Sequence, residues 1–315
     1  MQKNKSALGL KSRLSITRLT IMKFAAFKTN AASNEILVGI VSEDGQSIEE
    51  LAFDSAQAAT GVAAVVQAQA QGRPLPSPGS RHAMASVKLL APFPRPARNI
   101  LCVGKNYFDH AKEFAQSGFD SSAKPGDDIP TDPIFFTKVP ESVIATGDPI
   151  VIPKGVSEAI DYEAELAVII GKKGKGISES DAMSYVWGYT IVNDVTARDW
   201  QNRHKQWFMG KSFDTFCPMG PWAVTKDSCK GENTAVRCFV NGERRQSAVT
   251  TDLIFKIPQL IATVSAGITL YPGDIIATGT PVGVGIGFKP PKYLKSGDRV
   301  RVEIDGIGAI ENPVV

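Results

Sequence analysis

From residue 96 onward the chain is a succession of short apolar runs cut by glycine and proline: Ile100–Val103, Ile134–Phe136, Glu163–Ile170, Gly188–Asn193, Ala223–Val224, Val236–Val240, Asp274–Thr278 and Arg299–Ile304. Runs this short, bounded by turn formers, read as strands, because a helix shows its 3.6-residue period over about 10–12 residues or more. A few helices are expected among them, Ser178–Tyr185 and Ile257–Ser265 foremost. The expected class is mainly β with some α (α+β).

Upstream, residues 22–53 are also strand-like, and EILVGIVSEDG is an apolar run followed by an Asp-Gly turn, which signals a hairpin. Residues 54–70, rich in Ala and Gln, read as one helix. Prolines in QGRPLPSPGS (71–80) and PFPRPARN (92–99) stop helices and stiffen connections. A boundary near residue 96 is therefore expected, with a small N-terminal domain at 22–95 and a catalytic domain at 96–315. Residues 1–21 carry Lys3, Lys5, Lys11, Arg13 and Arg18, and the first acid is Glu35. Because the strand pattern starts at Met22, residues 1–21 read as an unstructured basic extension, with a transit peptide as the other reading.

A composition of 43% hydrophobic and 21% charged residues sets disorder aside as the main state. The formal charge of +3 is too small to mark a nucleic-acid partner. No apolar run approaches the ~20 residues of a membrane-spanning helix. Cys102, Cys217, Cys229 and Cys238 form no C-x-x-C pair, which fits a reduced compartment. The expected setting is cytoplasmic, or the mitochondrial matrix if the basic start is a transit peptide.

The strongest chemical signal is DYEAELAVIIG. Side chains alternate along a strand, so Glu163 and Glu165 share a face while Ala164, Leu166 and Val168 take the other. Two carboxylates entering an apolar strand are costly to desolvate unless a cation lies between them. Asp194, where the next apolar run ends in VNDVTARD, adds a third. Three carboxylates suit a hard ion, Mg2+, Mn2+ or Ca2+, and disfavour zinc, although an isolated E-x-E is usually a solvated pair.

In GKNYFDHAKEF, His110 and Glu113 stand three apart, so on a helical turn the carboxylate can hold the imidazole as a general base. Most H-x-x-E pairs are surface pairs; this one precedes a long polar stretch, 116–133, with the composition of a mobile active-site loop. Arg198 can clamp a carboxylate and Lys211 can stabilise an enolate, or either can be a structural ion-pair partner. LYPGDIIATGTPVGVGIG at 270–287 looks like a nucleotide loop, but FKPPK follows and no helix can form there. Its glycines are expected instead to let backbone approach a ligand, with Thr278 and Thr280 offering hydroxyls.

Taken together, VGKNYFDHAKE, DYEAEL, NDVTARDWQ, GKSFDTFCPMGP and PGDIIATGTPVGVG resemble the fumarylacetoacetate hydrolase family, and within it the domain-containing protein 2 branch, from about residue 22 to the C-terminus. The resemblance implies a β-sandwich/β-roll catalytic domain, a small N-terminal domain and a homodimer. It places an Mg2+ or Mn2+ site on Glu163, Glu165 and Asp194 and a catalytic dyad on His110 and Glu113. It puts anion-binding groups on Arg198 and Lys211, Gln201 along the pocket, and Thr280 on a substrate carboxylate. The activity expected first is hydrolysis of the C–C bond of a 2,4-dioxo acid. The alternatives are keto–enol tautomerisation or decarboxylation of oxaloacetate, ureidoglycolate cleavage and, last, noncatalytic ligand binding.

Overall fold

The computed structural model describes residues 22–118 and 129–315. The basic extension at 1–21 and most of the polar loop expected at 116–133 lie outside the described residues. In chain order the first strands are β1 (Lys23–Lys28), β2 (Leu37–Val41), β3 (Ser47–Leu51), β4 (Pro78–Ala83), β5 (Lys88–Leu89), β6 (Ile100–Gly104), β7 (Ile134–Lys138), β8 (Val143–Ile144) and β9 (Ile160–Asp161). They continue as β10 (Ala164–Ile170), β11 (Val186–Asn193), β12 (Thr196–Ala197), β13 (Cys217–Thr225), β14 (Ala235–Val240), β15 (Glu243–Val249), β16 (Ile275–Ala277), β17 (Arg299–Ile304) and β18 (Gly308–Pro313). The helices are α1 (Ser55–Ala58), α2 (Ala63–Ala70), α3 (Phe108–Ala115), α4 (Glu179–Ala182), α5 (Arg198–Arg203), α6 (Phe208–Lys211) and α7 (Ile257–Gly267).

The larger sheet runs β4-β3-β2-β1-β13-β11-β10-β16-β6-β7, with β5 against β1 and β8 against β13. Residues before 96 enter this sheet through Lys23 and Phe24 of β1, which lie beside Val224 and Ala223 of β13. A second sheet has the order β15-β14-β17-β18. β10 is buried along its whole length. Its Leu166, Val168 and Ile170 enter a core shared with Val236, Cys238, Val300 and Val302 of the second sheet. Ala167 and Ile169 face the opposite way, into a core with Phe24, Val65, Val66 and Ala277. A strand covered on both faces has no solvent side to favour polar residues, hence the continuous apolar run. Each such Val, Leu or Ile contributes roughly 1.5–3 kcal/mol by burial.

Two local expectations need correction. The single helix over 54–70 is broken into α1 and α2. Asp54 caps α1 by accepting from the Gln57 amide at 2.8 Å. Gly61 then turns the chain at φ 65°, where a Cβ would sit 2.4 Å from the Pro92 carbonyl oxygen. The helix at Ser178–Tyr185 shrinks to α4, because the chain is drawn into β11 from Val186, whose register partner is Ile170. The hairpin at 37–51 forms as expected, with β2 antiparallel to β3 and Gly45 in its turn at φ 72°.

One topological fact locates the chemistry. β10 is antiparallel to β11 and β16, and β16 is parallel to β6. The amino end of β10 therefore lies among the carboxyl ends of β6, β11 and β16. Glu163 and Glu165, Asp194, the Thr278–Thr280 turn and the approach to α3 all converge at that edge.

Candidate active site

Carboxylate oxygens of Glu163, Glu165 and Asp194 lie within 4.8 Å of one another, and all three residues are buried. Their backbone is fixed locally: the Glu163 amide donates to Asn193 Oδ1 at 2.9 Å, and the Asp194 amide donates to the Glu163 carbonyl at 2.8 Å. The Gly279 amide donates to Glu165 Oε2 at 2.8 Å.

Cations surround the three acids. Lys211, at the end of α6, donates to Glu163 Oε2 at 2.7 Å and to Asp194 Oδ2 at 2.8 Å. Arg198, opening α5, donates through Nε to Asp161 Oδ2 at 2.9 Å and through Nη1 to Gln201 Oε1 at 3.1 Å. Its Nη2 stands 2.7 Å from Glu163 Oε1 as an ion pair without hydrogen-bond geometry. Burial alone would raise the Glu163 carboxyl, but Lys211 and Arg198 outweigh it and bring it down to about 2. Glu165 goes the other way: burial and the charges of Asp194 and Glu163 push it well above the usual carboxylate range. Burial would lower Lys211, yet Asp194 and Glu163 raise it. Three crowded acids, one of them pushed well up by burial and by the charges of the other two, fit a divalent cation, and the all-oxygen donor set is that of a hard ion.

The dyad forms as the spacing predicts. His110 Nδ1 lies 3.1 Å from Glu113 Oε2 on α3, and His110 is 4% exposed. The Gly283 amide donates to both Glu113 oxygens, at 3.0 and 3.2 Å. A cavity with about 270 Å³ of empty space is lined by His110, Glu163, Glu165, Arg198, Gln201, Lys211 and Thr280, and walled by Phe114, Phe136 and Trp207. Trp207 packs against Gly104, where an added Cβ would meet its ring at 2.0 Å. Thr280 Oγ1 accepts from Gln246 Nε2 at 2.8 Å, leaving its own proton to donate.

The glycine-rich segment behaves differently from its expectation. Its amides are taken by protein carboxylates: Gly279 by Glu165, Gly283 by Glu113, and Gly285 and Ile286 by Asp161. Gly287 passes so close to the dyad that a Cβ there would lie 2.0 Å from Glu113 Oε1. Gly287→Ala is expected to push the Glu113 carboxylate off the imidazole, lowering kcat about tenfold or more for loss of one charge-assisted hydrogen bond. The melting temperature should stay near wild type, since only the end of a flexible side chain has to move; steady-state kinetics beside a thermal melt checks both.

Sequence reading passed over four residues of this site. Asp161 stands two before Glu163, so extending the same alternation by one step would have found it. Lys138 carried no local signal: fully buried, it donates to Asp194 Oδ1 at 2.6 Å and to the Val195 carbonyl at 3.0 Å, and also to the Lys211 carbonyl. Lys138→Met leaves Asp194 with Lys211 as its remaining cation and leaves two buried carbonyls without their donor, so it should destabilise the fold by about 2–4 kcal/mol, read from urea unfolding. Asn106 donates to the Phe255 and Thr278 carbonyls at 3.1 and 2.7 Å and accepts from the Phe255 amide at 2.7 Å, fixing the entry to α3. Gln246, from the second sheet, supports Thr280.

The fold and the site together define an enzyme of the fumarylacetoacetate hydrolase family, and the chain belongs to that family: residues 99–315 match the family described as "Fumarylacetoacetate (FAA) hydrolase C-terminal". The chain is 53% identical over 234 residues to "Oxaloacetate tautomerase YisK" of Bacillus subtilis, covering 74% of this chain and 75% of that protein. It is 49% identical over 234 residues to human "Oxaloacetate tautomerase FAHD2A, mitochondrial", covering 73% of this chain and 70% of that protein. Among solved structures, "Fumarylacetoacetate hydrolase (EaFAH)" from Exiguobacterium antarcticum superposes with a TM-score of 0.77 at 38% identity, covering 93% of this chain and 99% of that one.

Proposed function

We propose that the protein is a divalent-metal-dependent oxaloacetate keto–enol tautomerase. The observation that carries this reading is a cavity lined by His110, Glu163 and Glu165, with Glu113 against the imidazole and Asp194 beside the two glutamates, in a chain about half identical over 234 residues to relatives named for that activity. The C–C hydrolysis expected first from sequence becomes the second reading, supported by the name of the Exiguobacterium structure.

Glu163, Glu165 and Asp194 would hold Mg2+ or Mn2+. When bound, the ion supplies positive charge that stabilises an enolate. The chain's own residues do the rest. Arg198 and Lys211 draw in a dianionic substrate, with Gln201 and Thr280 orienting its carboxylates. His110 removes a proton from C3, the C3–H electrons become the C2=C3 bond, the C2=O π pair moves to the 2-oxo oxygen, and that oxygen takes the proton back from the His110 imidazolium to give the enol. Glu113 stabilises the imidazolium formed in that step. The reverse sequence returns the ketone, and no carbon–carbon bond is touched. Phe114, Phe136 and Trp207 keep water from competing at C3.

A diffusible diacid suits an aqueous compartment, and no helix among the described residues is long and apolar enough to cross a membrane. The homodimer implied by the resemblance would be read from sedimentation equilibrium. The activity itself is tested by following enol-to-keto conversion of oxaloacetate and, in parallel, loss of acetylpyruvate absorbance, with Mn2+ and with EDTA. Metal-dependent tautomerisation without acetylpyruvate loss is expected. Rapid acetylpyruvate cleavage with no tautomerisation would return the enzyme to the hydrolase reading.

A further inference from the structure

We propose that Asp161 is a positioning residue that ties the Arg198 clamp to the His110–Glu113 dyad through the turn at 283–287, an inference that rests on the roles just given to Arg198 and the dyad. Asp161, at the end of β9, is fully buried. Four donors converge on its carboxylate. Oδ1 accepts from the Tyr162 amide at 2.9 Å and the Gly285 amide at 2.6 Å. Oδ2 accepts from the Ile286 amide at 3.0 Å and from Arg198 Nε at 2.9 Å.

The same turn holds the dyad, because the Gly283 amide donates to Glu113. It has little freedom to shift. Tyr162 donates its hydroxyl to the Gly283 carbonyl at 3.0 Å, and a Cβ on Gly285 would lie 2.4 Å from the Lys292 carbonyl oxygen. On the other side, Asp161 and Gln201 fix two edges of the guanidinium. Nη2 stands in an ion pair with Glu163 Oε1 at 2.7 Å, on the cavity wall that Arg198 helps to form. The aim of the clamp and the seat of Glu113 are thus set by one carboxylate that touches neither substrate nor metal.

An asparagine at 161 places its amide NH2 against two of these four donors in either flip, so the turn or the guanidinium has to move. In Asp161→Asn, Mn2+ affinity by electron paramagnetic resonance should be unchanged, because the three acids remain. Oxalate, a planar dianion that mimics a chelating 2-oxo carboxylate, should bind the Mn2+-loaded variant about tenfold more weakly. In a double-mutant cycle on kcat with Glu113→Gln, the two losses should be far from additive. Unchanged oxalate affinity, a parallel fall in Mn2+ affinity, or additive kcat losses would each overturn the proposal.

If Asp161→Asn fails to fold, Arg198→Lys serves from the other end: it keeps the charge and loses the Nε bond. Coupling to Glu113→Gln supports the link and additivity overturns it. Oxalate binding needs no turnover, so an enzyme inactive on oxaloacetate would refute the proposed function while still deciding the role of Asp161.

Discussion

Glu163→Gln is expected to weaken Mn2+ binding and to lower the proposed turnover of oxaloacetate about 10³-fold, the upper range for removing one electrostatic stabiliser of a developing oxyanion. The reason is local charge. Glu163 is the acid that Lys211 and Arg198 hold ionised, down to about 2, and it stands beside a Glu165 that burial and its neighbours push well above the usual carboxylate range. Replacing that fixed anion by an amide leaves Asp194 to draw in the cation, while Lys211 and Arg198 lose a shared counter-ion and repel it. Mn2+ titration followed by electron paramagnetic resonance should show weakened binding in step with lost turnover. Wild-type Mn2+ affinity in the variant would remove Glu163 from the ligand set.

The second large effect separates proton transfer from metal binding. His110→Ala should keep the Mn2+ affinity of the wild type and lower kcat by about 10²–10⁴, the usual range for general acid–base catalysis. His110 reaches the cavity from α3, whereas the carboxylates come from the edges of β10 and β11, so the two groups share no backbone element. The folded state should tolerate the change, since α3 keeps Ala111 and Phe114 buried. A variant that retains full rate on oxaloacetate would mean that the proton at C3 is moved by another group.

Much of this site was legible along the chain, and the legible part has one physical character. Strand alternation placed Glu163 and Glu165 on one face, and helical spacing placed Glu113 beside His110. Both follow from backbone dihedrals over a few residues, as do the strand runs of β6, β7, β10, β11, β14, β16 and β17. Where local preference met a tertiary demand it yielded: α1 and α2 replaced one helix at Gly61, pressed against Pro92, and α4 lost its second half to the pairing that starts β11.

What only the tertiary structure decided lies at long sequence separation. Lys138 meets Asp194 across 56 residues, Asp161 meets Gly285 across 124, and Glu113 meets Gly283 across 170. No periodicity encodes such pairs. They depend on β10 running against β11 and β16 while β16 runs with β6, which brings the carboxyl ends of three strands to the amino end of a fourth. The sequence by itself determined which groups carry charge and which faces they occupy. The crossing of the strands decided which of them share a desolvated pocket, where unpaired charge is costly and Asp161, Glu163 and Asp194 each meet a buried cation.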